Sequence, residues 1–136
     1  MTFLLGKLGG TAAAQFAAKL APSGITPRHC AVLELTAHES MSQLELANRV
    51  GVTPSVVVDM LDELEPLGAI KRVADPSDRR RRIISLTPAG RKLHALAVAA
   101  AAAVDQELLD GLKPGERTAL VSALRHVGAA AGFDFA

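Results

Sequence analysis

A chain of 136 residues has the length of one ordinary domain, and its 49% hydrophobic content is ample for a packed core. A formal net charge of +1 excludes a polybasic, polymer-coating protein, and the single cysteine, Cys30, excludes an internal disulfide and fits a reducing cytoplasm. No window reaches the roughly 18 apolar residues of a membrane span, and the N-terminus lacks a secretory-signal pattern, so a soluble cytoplasmic protein is expected.

Helix 1 is predicted from Phe3 to Leu20, where Leu4, Leu5, Leu8, Ala12, Phe16 and Leu20 recur at three- and four-residue spacing. Three Thr-Pro pairs, Thr26-Pro27, Thr53-Pro54 and Thr87-Pro88, each offer a capping hydroxyl followed by a residue with no N–H to lose at the first helical position. They mark the starts of helices 2 (27–38), 4 (54–67) and 5 (88–110). Helix 3 (43–50) starts at Ser42, with Glu45 three residues on in capping-box spacing. Helix 6 is predicted over 114–130. Gly51, Gly68 and Gly111 are the expected stops.

Between Gly68 and Thr87 the period changes. "AIKRV" and "RIISL" are short β-branched runs flanking a Pro- and Asp-containing stretch, which predicts a hairpin with a longer tip. The arginine block Arg79–Arg82 falls on that tip and the returning strand, where alternation would place Arg80 and Arg82 on the side of Ile84 and Leu86, and Arg79 and Arg81 opposite. Asp78 is expected to orient a wing arginine. Charge is also sorted along the chain. From Glu34 to Glu65 there are seven acids against Arg49, a balance of −6, whereas Lys71 to Lys92 holds eight bases against Asp75 and Asp78, a balance of +6.

The segment "SQLELANRVGVTPSVVVDMLDELEPLGAIKRVADPSDRRRRIISLTPAGRKL" resembles the central module of the MarR family of bacterial transcription regulators. The matching motifs are Ser42–Ala47, Leu64–Gly68, Asp75–Arg80 and Leu86–Gly90. The resemblance implies a mainly α fold: a winged helix-turn-helix of about six helices and a β-hairpin wing. Residues 27–88 would form the DNA-binding part, and residues 1–22 and 89–136 a helical dimerisation part of the same domain. It further implies a homodimer on a pseudo-palindromic operator in double-stranded DNA, usually acting as a repressor. Release in the family is often by a small anionic or phenolic ligand or by thiol oxidation. The start of helix 4 would enter the major groove, making Thr53, Pro54, Ser55 and Val56, with Val58 and Asp59, the residues facing DNA. Arg79, Arg80, Arg81 and Arg82 would follow the backbone and the minor groove.

Asp59, Asp62 and Glu63 depart from the basic residues that many relatives carry on helix 4, so the wing is expected to supply most of the electrostatic affinity. Phe16, Arg28 and His29 are candidate ligand-binding residues between helices 1, 2 and 5, although a surface histidine beside a helix start is the commoner arrangement. Cys30 falls on the apolar face of helix 2 and reads as a small buried hydrophobe. The small-residue stripe Ala95, Ala99, Ala102 and the terminal Phe133 and Phe135 suit a subunit interface. The four histidines lack metal-ligand spacing, and no phosphate loop, nucleophile elbow or carboxylate pair is visible, so neither cofactor nor enzymatic activity is expected. Two alternatives stay open: a winged-helix adaptor docking proteins through an acidic helix 4, and a nucleoid-type binder without ligand response.

Overall fold

The computed structural model describes residues 1–132; Phe133 and Phe135 lie outside the described residues. Two compact units are distinguished, Met1–Val104 and Asp105–Ala136. In the first, α1 (Thr2–Leu20) leads through a single 3-10 turn into α2 (Pro27–His38), β1 (Met41–Ser42), α3 (Gln43–Val50), α4 (Pro54–Leu64), β2 (Ile70–Ala74), β3 (Arg82–Leu86) and the part of α5 (Pro88–Leu108) up to Val104. The second contains α6 (Pro114–Ala130).

The caps explain these bounds. Ser42 Oγ accepts from the Glu45 amide at 3.2 Å, one half of the expected capping box. The Thr26 box is instead reciprocal with His29, whose Nδ1 accepts from the Thr26 amide at 3.0 Å. Thr53 makes no side-chain cap; its hydroxyl is 3.0 Å from Ser55 Oγ. Helix 4 ends sooner than its predicted residue 67. After Leu64 the chain wraps around Gly68 at φ 68°, with the Gly68 amide donating to Glu65 O (2.8 Å) and the Ala69 amide to Leu64 O (3.2 Å). Gly51 stops α3 in the same left-handed conformation, at φ 79°. Gly111 does not: α5 stops at Leu108, and the Leu112 amide donating to Leu109 O closes the following turn.

The sheet contains a strand that sequence periodicity did not predict. Its order is β1-β3-β2, antiparallel throughout, with Met41 opposite Ile84 and Ser42 opposite Ile83 on one side of β3, and Ile70 opposite Leu86 through Ala74 opposite Arg82 on the other. The core of the first unit gathers Leu20, Leu33, Leu46, Leu61, Leu64 and Ile84, all fully buried. Each such side chain contributes roughly 1.5–3 kcal/mol relative to exposure.

The base of the hairpin is latched to α5. The Thr87 amide donates to Ala69 O at 3.0 Å, and Thr87 Oγ1 donates to Gly68 O at 2.5 Å and accepts from the Gly90 amide at 3.0 Å. Gly90 lies so close that a Cβ there would stand 2.0 Å from Ala69 O and 2.5 Å from Leu86 Cδ1. This contact accounts for the Leu-Thr-x-x-Gly motif. Further along, Ala97 and Ala100 turn into the core, while Ala95, Ala99 and Ala102 lie exposed.

Candidate nucleic-acid interface

Helix α4 divides cleanly into two faces. Val57, Met60, Leu61 and Leu64 are buried, whereas Thr53, Pro54, Ser55, Val56 and Asp59 are exposed and Val58 is half-buried. Pro54 shares an open cleft of about 370 Å³ with Ser42, Gln43 and Leu44 at the start of α3 and with Arg80, Arg81 and Arg82 of the wing. The structure therefore brings the start of α4 and three of the four arginines to one surface. It adds the start of α3, which the sequence reading did not include; the Ser42 cap was the signal for it.

The wing tip is a set of nested turns. The Asp75 amide donates to Arg81 O (3.0 Å), the Asp78 amide to Asp75 O (3.2 Å) and the Arg81 amide to Asp78 O (2.9 Å). Asp78 orients no guanidinium: its Oδ1 accepts from the Arg80 amide at 3.0 Å and so holds the turn. Asp75 is the acid facing an arginine, 3.8 Å from the Arg81 guanidinium. Its carboxyl is held below the ordinary range chiefly by the Ser77 hydroxyl and amide, which donate to it at 2.7 and 2.9 Å. Among the described residues, Arg79, Arg80 and Arg82 form no ion pair. Residues 79–81 belong to the turn and only Arg82 is in β3, so the strand alternation expected of Arg79–Arg81 does not apply to them.

The acids of the preceding stretch behave differently. Glu63 is paired with Arg28 and with His29 Nε2 (2.7 Å), Asp62 with Arg72, and Glu65 lies 3.4 Å from Arg72 Nε. Glu39 meets Arg49 at 2.6 Å, and Glu34 meets His94 at 2.5 Å and His38 at 3.0 Å. The Arg28 guanidinium, followed by His29, lowers the Glu63 carboxyl, and His94, followed by His38, lowers that of Glu34. Five of the seven acids in that stretch, Glu34, Glu39, Asp62, Glu63 and Glu65, are therefore engaged by arginine or histidine side chains of α2, α3, β2 and α5.

These pairs also correct the reading of His29. It is 2% exposed, not a surface residue, and both ring nitrogens are engaged, which tie α2 to α4. Arg28 is exposed beside it, and Phe16 is a partly buried residue packed against the core. Cys30 is half-buried; burial raises its thiol pKa, and its Sγ lies 3.7 Å from Thr26 O. Among the described residues no helix is long and apolar enough to cross a membrane.

The arrangement of α3, turn, α4 and wing recurs in known proteins. The model of the MarR family matches residues 25–81. The chain is 31% identical over 127 residues to the HTH-type transcriptional repressor Rv2887 of Mycobacterium tuberculosis, an alignment covering 93% of this chain and 91% of the relative. It superposes on CouR bound to a 23-mer DNA duplex with a TM-score of 0.82 and 32% identity, covering 94% of this chain and 92% of that one. With CouR of Rhodococcus jostii RHA1 bound to p-coumaroyl-CoA the TM-score is 0.78 and the identity 31%, over 99% and 94% of the two chains. With repressors aligned along nearly its full length and a shared winged-helix core, the chain belongs to the MarR family of transcriptional regulators.

Proposed function

We propose that this regulator represses transcription as a homodimer on a pseudo-palindromic operator, without enzymatic activity, and that a small anionic or phenolic ligand releases it. Thr53, Pro54, Ser55 and Val56 face the major groove, while Arg79, Arg80, Arg81 and Arg82 contact phosphates and the minor groove. The observation that carries the reading is the cleft shared by Pro54 and Arg80–Arg82, where the start of α4 lies beside the guanidinium groups of Arg80 and Arg82, which form no ion pair among the described residues. The DNA-bound and acyl-CoA-bound states of CouR support the two halves of this cycle by likeness.

A second copy of the chain would cover the apolar side chains that each unit leaves in solvent. In the first unit these include Phe3, Leu4 and Leu8 on α1 and Val98 on α5; in the second they include Leu120, Val121, Leu124 and Val127 on α6. Light scattering should give about 28 kDa, twice the chain mass of 14.2 kDa. Two half-sites about 10 base pairs apart follow from the two-fold axis. Phe16, Arg28 and His29 remain candidates for ligand binding only if a ligand displaces Glu63 from the latter two.

Gel shift at moderate salt tests the central claim. The protein should select operator over random DNA, and replacing Arg80 and Arg82 together by Ala should weaken both complexes. Each phosphate contact removed lowers the slope of log affinity against log salt by about 0.9, and a dimer doubles that. An unchanged slope would reduce the arginines to a solvated tip. No selective complex at all would favour the adaptor, and equal binding to any DNA the nucleoid-type reading.

A further inference from the structure

Four acids lie on α4 or the turn that follows it, and three of them are held by the body of the protein. Asp62 is bound by Arg72 of β2, Glu63 by Arg28 and His29 of α2, and Glu65 lies against Arg72. Asp59 alone has no hydrogen bond or ion pair among the described residues, and it is exposed. It follows Val56 by three residues and Ser55 by four, so all three share one stripe of the helix. Asp59 stands about 6 Å further along the axis than Ser55.

A carboxylate on that stripe is an acceptor without a donor, presented to a polyanion. Carrying it into the groove costs hydration and adds repulsion unless a base donates a hydrogen bond. In the major groove only the exocyclic amines of cytosine and adenine donate; guanine N7 and O6 and thymine O4 would set lone pair against lone pair. Adenine offers its amine beside the N7 acceptor, which opposes the second carboxylate oxygen, whereas the cytosine amine has only an apolar C–H on that side. We propose that Asp59 is a specificity-determining residue that reads a cytosine amino group in each half-site. Its action is mainly exclusion: it adds little affinity for the right base and penalises the wrong ones.

This inference rests on the proposed reading of α4 as the groove-entering helix, and one experiment separates the two. The dimeric protein and its D59N and D59A variants are each used to select duplexes from a randomised pool, with thermal unfolding to establish that the variants are folded. The unmodified protein should enrich cytosine at one symmetry-related position. Asp59→Ala should lose that preference, a drop of roughly 5- to 150-fold in discrimination at that base pair. Asp59→Asn should move it towards adenine, whose N6 and N7 suit an amide. If the variants recover the same sequence as the unmodified protein, Asp59 does not read DNA, although the repressor reading stands. If the unmodified protein recovers no common sequence, the operator-binding reading fails and this one with it.

Discussion

The acidic stretch Glu34–Glu65 and the basic wing carry charge of similar size and opposite sign, yet the fold treats them differently. The acids are mostly engaged with arginines and histidines brought from α2, α3, β2 and α5. The wing instead spends its own two acids on turn geometry, Asp75 on Ser77 and Asp78 on the Arg80 amide, and leaves most of its guanidinium charge uncompensated. Charge that is satisfied at home orients helices; charge left over is available to a phosphate backbone. A residue count along the chain cannot separate the two, because the deciding partners are distant, as with Glu63 and Arg28, 35 positions apart.

The contrast is most strongly broken at the base of the wing. Gly90→Ala drives a methyl into Ala69 O, 2.0 Å away, and should cost about 3 kcal/mol or more by denaturant unfolding, since backbone rather than a flexible side chain must yield. DNA binding should fall with it. A Gly90→Ala protein of unchanged stability would mean that the latch is slack. On the acidic side, His29→Ala removes a fully engaged buried ring and should cost roughly 2–4 kcal/mol, measured the same way, while leaving the salt slope of any DNA complex intact.

Acidification sharpens the comparison further. The carboxyls of Glu34, Glu63 and Asp75 are lowered in the folded chain, so their contribution to stability is complete above the ordinary values of 4.5 for Glu and 3.8 for Asp, and is lost as pH falls through the lower folded values. The melting temperature should therefore decline in that acid range, and the decline should be shallower in a Glu34→Gln, Glu63→Gln variant. An identical profile would show the pairs to be fully screened. The smallest effect is expected at Cys30. Replacement by Ser should cost about 1 kcal/mol or less and leave DNA binding equally indifferent to peroxide, because the chain itself offers Cys30 no resolving cysteine and burial raises its thiol pKa.

The helices were legible because their ends are written locally: Thr-Pro pairs, Ser42 and the glycines at 51 and 68 act within one turn of where they stand. The hairpin was legible from its β-branched runs. Strand β1 was not, because Met41–Ser42 is too short to show alternation and exists only through pairing with β3, more than forty residues later. His29 misled for a related reason. Beside a helix start it reads as solvated, and only the arrival of Glu63 gives its second nitrogen a reason to be buried. At the interface, the exposed start of α4 and the arginine block were readable as types, but which arginine would be tethered depended on the folded turn, which set Arg81 against Asp75.

The latch between Thr87, Gly90 and the Gly68–Ala69 carbonyls joins the first turn of α5 to the root of the hairpin. The hairpin is thereby a lever with its fulcrum at that joint. Its five-residue strands carry the tip about 17 Å away. At that radius a rotation of the joint by only about 10° sweeps the arginines through about 3 Å, the full length of a hydrogen bond. Any rotation of the joint would thus be magnified at the arginines in proportion to the length of the strands, and the close packing of Gly90 on Ala69 is what holds the joint in place.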